Sequence, residues 1–495
     1  MWKKIWRFET LKYIVVFILP ALFVLLFTQS INNDSWFVLA EGRHIVNDGL
    51  FYTDALSMHQ DLSITVQQYG FAACFWLIYS VAGPAGLYIM MLALNFIICL
   101  LIYKICMLLS DKNKNLSLVL MVLSDVVLAL GFVTTRAQMV SYILFLALIY
   151  ILELYVKTKK VKYLWVAPLI SLIQINMHAS MWWLLIIVML VYIIDSIKAP
   201  KIHLQGYKTT PLIIAAIAML LTGLINPYGT SMITYIFTSY GGGPIFGLVD
   251  EMKPFTLRSI FGVMLYIMIA GVLILCIYGP TKKDIRMRHL LMFFGFFALG
   301  INSVKGMSEL ILVAYMPIAA AYKKIKVEKI LYSKTGRNAL IMWSGVVAIP
   351  CAIACAAILL PNLDNYPDRA SFEGLNAIDE SVEKSNLSKN DLKIYAGYND
   401  GGYVEFRGYK SYLDPRAEVF LKNNNGKEDI LQEYVDYITR TITTDEMLAK
   451  YDFDYLFVRS KDDPAYQLDD KKYEILYSDE NSETIIYKKV SINEK

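Results

Sequence analysis

The chain has 495 residues, of which 56% are hydrophobic and 18% charged, with a mean hydropathy of +0.45 and a formal net charge of +4. Soluble domains are nearer half apolar and a quarter charged, so this composition excludes an ordinary soluble protein and places the excess apolar residues in segments solvated by lipid. The charge is unevenly divided: residues 1–360 carry 29 Lys and Arg against 15 Asp and Glu, and residues 361–495 carry 18 against 28. A basic membrane region followed by an acidic tail the size of a small domain is the pattern of a polytopic protein with one soluble appendage, not of a nucleic-acid binder.

At about 20 residues per membrane-spanning helix, eleven apolar runs are long enough to count. They cover 11–29, 86–109, 116–133, 138–156, 162–176, 178–197, 210–225, 258–278, 287–304, 307–322 and 339–360. The fifth is short and meets the sixth across Asn176, Met177 and His178, so those two could also form one kinked element. Short loops rich in Lys and Arg stay cytoplasmic, and a cytoplasmic N-terminus puts 24 of the 29 basic residues before 361 on that side. The same topology puts the acidic tail on the outer face. The first run lacks a small-residue cleavage site and reads as a spanning helix, not as a signal peptide. The expected organisation is a transmembrane region over 1–360, with a first outer loop at 30–85, followed by an extracytoplasmic α/β domain over 361–495. All six cysteines fall in or beside apolar segments, so the outer domain folds without disulfides. Cys351 and Cys355 could share a helix face, though two small apolar residues in a membrane helix are the better reading.

The first outer loop opens with the polar run Asn32, Asn33, Asp34, Ser35. Asp34 follows the first apolar run by about five residues, so its carboxylate is held at a reproducible depth. It could act as general base on an acceptor hydroxyl, ligate a divalent cation, or cap the next helix. Residues 36–46 are amphipathic, with Trp36, Leu39 and Ile45 able to share a face. They and the apolar stretch 69–82, short for a span, suit helices resting on the bilayer. Further along, Arg136, Gln138, His178, Asp250, Glu251 and Lys305 map to the outer face under a topology derived from other residues, as does Asp54 in the first loop. Taken singly, an Arg at a helix end snorkels to headgroups and a His there is more often structural, but their common side points to a shared outer site.

From 361 the pattern becomes short and alternating, which predicts a helix over 371–385, strands at 392–396, 403–407 and 410–413, helices around 427–450, and strands at 454–458, 473–477 and 484–488. Asn399-Asp400-Gly401-Gly402-Tyr403 reads as a turn, with no Lys-Ser/Thr helix start to make a nucleotide site. Asp414-Pro415-Arg416 is either a local ion pair or a sugar-binding pair, and Tyr395, Tyr398, Tyr403, Tyr409 and Tyr412 are either core aromatics or a platform for carbohydrate.

Four segments carry a family resemblance: NDSWFVLAEGRHIVNDGLFYTDALS at 33–57, TRAQMVSY at 135–142, INMHAS at 175–180 and LINPYG at 224–229. They resemble bacterial members of the GT-C glycosyltransferase superfamily, polytopic enzymes that use polyprenyl-phosphate sugars. IYAGYNDGGYVEFRGYKSYLDPRAEVF at 394–420 and YDFDYLFV at 451–458 resemble the outer domain of a largely uncharacterised bacterial subgroup of such proteins. The resemblance implies a GT-C-like membrane fold and transfer, with inversion, of a sugar from a polyprenyl-phosphate donor to an envelope glycopolymer, lipid or protein. It implies a catalytic role for Asp34, with Asp54 as the nearest match to an assisting acid. Arg136 and Lys305 would meet the leaving phosphate, His178, Gln138 and Glu251 would contact substrate, and Asp414, Arg416 and Tyr403 would meet a glycan. Asp34 could also ligate a divalent cation, Mg or Mn. Asn33 stands where several members have a second acid, which bears on metal dependence.

Two other classes compete. A flippase or transporter for a lipid-linked saccharide should show inverted repeats and ionisable groups inside the membrane. Asp125, Glu153, Asp195 and Glu309 lie in or near spans, but no repeat is visible. A non-catalytic scaffold or binding subunit would keep the fold and lose the acidic pair, as here.

Overall fold

The computed structural model describes residues 31, 33–129, 131–197, 206–239, 248, 260–326, 369–385, 387–468 and 471–490. The expected spans at 11–29 and 339–360 lie outside them, as do Asp250, Glu251, Cys351 and Cys355. The chain forms two compact units. A helical unit takes in Tyr88–Gly229 and Val249–Pro361, and a mixed unit takes in Ser30–Leu87, Thr230–Leu248 and Asn362–Lys495.

Helix α1 spans Asn33–Asp48 and α2 spans Tyr69–Leu109. Within α2, Gly83 takes φ 57° and ψ −154°, a conformation open to glycine, and Pro84 restarts the helix where a missing N–H costs nothing. In the helical unit there follow α3 (Lys114–Ala129), α4 (Gln138–Thr158), α5 (Ala167–Met177), α6 (Trp182–Ser196) and α7 (Thr210–Gly223). Helix α8 (Thr230–Ser239) belongs to the mixed unit, and α9 (Ile260–Tyr278), α10 (Met287–Asn302) and α11 (Gly306–Ala321) complete the helical one. Three described helices are long and apolar enough to cross a membrane: Tyr69–Leu109, Gln138–Thr158 and Ala179–Ser196; five further apolar helices are shorter.

The fifth and sixth apolar runs are separate helices, because the backbone breaks at His178, with φ −163° and ψ 87°. Helices α5, α6 and α7 lock through one relay: the Trp182 indole donates to Ser171 Oγ at 2.7 Å, and that hydroxyl donates to the Met219 carbonyl at 2.8 Å. Gly223 admits the indole, since a Cβ there would lie 2.3 Å from Trp182 Cζ2. Helix α11 is buried along almost its whole length, which matches its mostly small and apolar sequence after Glu309 in the first turn.

The mixed unit is built on a five-stranded sheet of order β2-β1-β3-β5-β4, formed by β1 (Lys393–Ala396), β2 (Lys410–Ser411), β3 (Tyr455–Val458), β4 (Tyr473–Asp479) and β5 (Thr484–Lys489). The first three run parallel, and β5 pairs antiparallel with both β3 and β4. Helix α12 (Arg369–Ser385) covers the sheet, and its Gly374 allows Ile486 and Phe457 to approach closely.

Two sequence expectations do not hold in the structure. Residues 403–407 are not a strand: Gly401–Phe406 form a short helix, α13. It fits because neither Gly401 nor Gly402 has a Cβ; at Gly401 one would meet the Leu413 carbonyl oxygen at 1.8 Å, and at Gly402 the Phe37 nitrogen at 3.1 Å. Nor is the apolar face of α1 left bare to rest on a bilayer. Trp36 packs on Tyr403 and Phe406 with ring centroids 4.9 and 4.8 Å apart, and Ser35 through Gly42 are all buried. The first loop is thus part of the same folded unit as the tail, and it reaches the sheet edge through a parallel bridge between Ser57 and Ser411.

Candidate functional site

In the helical unit the ends of α4, α5 and α11 bring several of the anticipated polar residues together. His178, at the α5 break, places Nδ1 2.8 Å from Ser141 Oγ and Nε2 3.0 Å from Ser180 Oγ. Gln174, one turn earlier, donates to Ser141 Oγ at 2.8 Å and to the His178 carbonyl at 2.6 Å. Hydroxyls on both ring nitrogens fix the imidazole plane. Gln138 donates to Tyr142 and, at 3.3 Å, to Ser308 Oγ. Ser308 in turn lies 2.8 Å from the Lys305 carbonyl and 3.0 Å from Glu309 Oε2. Lys305 is near enough to act electrostatically on His178 and on Glu309. Gln138, His178 and Lys305 therefore share one neighbourhood, while Arg136 is half-buried just before α4. Ser141, Gln174, Ser180 and Ser308 were not anticipated; the i, i+4 spacing of Gln174 and His178 was the available signal.

Three further acidic residues of this unit, Glu153, Asp195 and Asp125, are held by hydrogen bonds. Arg288 grips Glu153 with two hydrogen bonds, Nε to Oε1 at 2.6 Å and Nη2 to Oε2 at 2.9 Å, and reaches Asp195 through Nη1 at 3.2 Å. Tyr192 donates to Glu153 at 2.8 Å and Tyr207 to Asp195 at 2.7 Å. Asp125 accepts from Asn95 at 2.8 Å and Cys99 at 3.1 Å. Buried charge is tolerated where it is paired and hydrogen-bonded in this way.

In the mixed unit Asp34 occupies the first turn of α1, half-buried, where the positive end of the helix dipole favours a carboxylate. Asp54 lies elsewhere in the unit and has a different task. Its carboxylate accepts from the Leu56 and Ser57 amides at 3.4 and 2.9 Å, which closes a tight turn, and from Arg416 Nη1 at 2.8 Å. Arg416, 2% exposed, is the centre of a buried cluster. Asp414 takes Nε at 2.8 Å and Nη2 at 2.6 Å, Glu405 lies 3.4 Å from Nη2, and Glu41 lies 3.8 Å from Nη1. Ser411 donates to Glu405 at 2.7 Å.

One guanidinium does not balance four ionised carboxylates, and protonation resolves the excess. Burial, only partly offset by Arg416, pushes Glu41 up to about 8. Burial and the adjacent Asp414 push Glu405 well above the carboxylate range. Burial opposes the charged form of Asp54 too, but Arg416 and Ser57 outweigh it and hold that carboxyl below its usual value. For Arg416 the surrounding carboxylates overcome burial and raise it further. Beside the cluster, Glu418 accepts from Tyr235 of α8 and is raised by burial.

Asp414 and Arg416 thus form the local ion pair, and with 0% and 2% exposure they offer no surface to a glycan. Tyr403 is covered by Trp36, and its hydroxyl accepts from Arg407 at 3.1 Å. Tyr395, Tyr409 and Tyr412 are likewise buried, with Tyr395 and Tyr412 packed against Phe453. These four tyrosines are core, and Tyr398 is half-buried, its hydroxyl donating to the Pro415 carbonyl at 3.0 Å. Glu251 lies outside the described residues.

No family model and no curated protein matches the sequence. Solved structures do match in fold. The Archaeoglobus fulgidus oligosaccharyltransferase in its apo form superposes with a TM-score of 0.55 at 11% identity, over 90% of this chain and 69% of that one. The same protein in complex with zinc and sulfate gives 0.52 at 12% identity, over 96% and 73%. At such identity the likeness is one of fold alone.

The zinc in that relative raises the question of whether residues here fit a divalent cation. Among the described residues no three His, Cys, Asp or Glu side chains are placed to hold one. Where four carboxylates do converge, Arg416 fills their centre and burial favours the protonated form of two, Glu41 and Glu405. The described residues do not fit a bound metal.

Proposed function

We propose that the chain is a multi-pass membrane glycosyltransferase of the GT-C type, acting on the outer face. It would move a sugar from a polyprenyl-phosphate donor to an envelope glycopolymer, lipid or protein. The observation that carries this reading is the fold likeness to an oligosaccharyltransferase over 90% of the chain. The eleven-span topology, with N-terminus cytoplasmic and tail outside, belongs to the proposal.

In this reading the acceptor hydroxyl attacks the anomeric carbon from the face opposite the phosphate. The carbon–oxygen bond to phosphate breaks, the configuration inverts, and the acceptor proton passes to the Asp34 carboxylate. The departing phosphate needs positive charge that costs no reorganisation, which Lys305 and Arg136 would supply. His178, held by Ser141 and Ser180, would orient substrate. Asp54, bound to Arg416 and two backbone amides, would position the first loop rather than take a proton.

The transporter reading is weakened by the pairing of Glu153 and Asp195 with Arg288, which leaves these two carboxylates engaged rather than available to a moving solute. The scaffold reading keeps the support of Asn33 beside Asp34. The test is release of polyprenyl phosphate from a labelled donor by the full chain in nanodiscs, with an envelope extract as acceptor. Asp34→Asn should cut the rate by about 10²–10⁴-fold. Undiminished release by that variant would remove Asp34 from the mechanism, and no release by the unaltered chain would favour the scaffold.

A further inference from the structure

The mixed unit contains a cavity of about 510 Å³ that none of the roles above uses, between the last turns of α1, the Ala55–Leu56 turn and the segment from Glu405 to Lys410. Its volume is within the range of small-ligand sites, about 300–1,000 Å³. Two cations in its wall are held in place. Arg43 donates to the Phe406 and Glu405 carbonyls at 2.8 and 3.0 Å and lies 5.8 Å from the centroids of both Trp76 and Phe406. Lys410 donates to the Ala55 carbonyl at 3.2 Å. Of the acidic residues in the wall, Asp48 lies 3.2 Å from His44 Nδ1, and Glu405 turns its carboxyl to Ser411 and Arg416. The wall therefore carries a positive excess on groups that need no reorganisation to meet an anion. Asn47 and Asn390 flank it with amides, which donate and accept at once, as sugar hydroxyls require.

We propose that this cavity binds an acidic saccharide, a sugar bearing a carboxylate or a phosphate, and serves as an acceptor subsite. The ligand class rests on the glycosyltransferase reading, but binding without donor is independent of turnover, so the two can fail separately. The charged group would lie between Arg43 and Lys410, and the ring hydroxyls would meet the two amides.

The test is binding to the full chain in phosphatidylcholine nanodiscs, by calorimetry, of four probes: a glucuronate-containing hyaluronan tetrasaccharide, glucose 6-phosphate, neutral cellotetraose and inorganic phosphate. One or both acidic sugars should bind at least tenfold more tightly than either cellotetraose or inorganic phosphate. Lys410→Met should weaken that binding fivefold or more. Asn47→Trp, on the exposed end of α1 where it does not disturb the core, should abolish it. Equal binding of neutral and acidic sugars would overturn the charge assignment, and inorganic phosphate binding as tightly as the sugars would reduce the cavity to an anion site. Absence of binding by both acidic probes, or indifference to Asn47→Trp, would overturn the proposal. Loss of transfer with binding intact would count against the enzyme reading alone.

Discussion

Arg416 Nη1 lies 2.8 Å from Asp54 Oδ1, although 362 residues separate the two in the chain. This contact, together with those to Glu41, Glu405 and Asp414, makes one buried cation common to the first loop and the tail.

Arg416→Met should therefore destabilise the mixed unit by about 3–5 kcal/mol, the cost of leaving buried charge without its partner. Hydrogen exchange read by mass spectrometry over 33–48 and 401–420 checks this. Both segments should lose protection together, while α4 and α11 keep theirs.

The cluster should also make stability fall as the solution becomes alkaline. Glu41 holds its proton up to about pH 8 when folded and only to 4.5 when unfolded. Its contribution is complete below the unfolded value, declines above it, and is gone once the pH has passed the folded one. The slope for one such group approaches about 1.4 kcal/mol per pH unit. Denaturation midpoints between pH 5 and 8 should drop accordingly, and Glu41→Gln should flatten the curve.

Gly401→Ala should fail where Gly408→Ala merely strains. A Cβ at 401 would lie 1.8 Å from the Leu413 carbonyl oxygen, which backbone cannot yield easily, whereas at Gly408 the difficulty is a φ of 92°. We expect Gly401→Ala to cost more than the about 1–3 kcal/mol of ordinary overpacking. Faster proteolysis in the 398–426 region would report it.

If Lys305 stabilises the leaving phosphate, Lys305→Met should lower kcat by about 10²–10³-fold with little change in KM, as for loss of one preorganised donor. His178→Gln should be milder, because an amide can still bridge Ser141 and Ser180. Equal losses in the two variants would argue that the whole neighbourhood is structural.

Local pattern carried much of the tail. The helix over 369–385 and the strands at 393–396, 455–458, 473–479 and 484–489 lie close to where alternation and turn residues put them. The segment 403–406 went astray because Tyr403-Val404-Glu405-Phe406 alternates like a strand, while the deciding influence is tertiary: the two preceding glycines let α1 and Leu413 crowd in. The Asp414–Arg416 pair was legible from its spacing. Its other three partners were not, since nothing local to Asp54, Glu41 or Glu405 points to residue 416. In the helical unit Gln138, His178 and Lys305 stand in one neighbourhood, but the hydroxyls that fix His178 come from helix packing that no single segment encodes.

The shared cation also imposes an order on synthesis. At about 5–20 residues per second, roughly 20–70 s pass between translation of Asp54 and of Arg416. Throughout that interval Trp36 and the carboxyls of Glu41 and Asp54 have no tail to fold against. A nascent chain stalled short of residue 400 should expose the first loop to protease and to holdase chaperones, and completion of the tail should close that window.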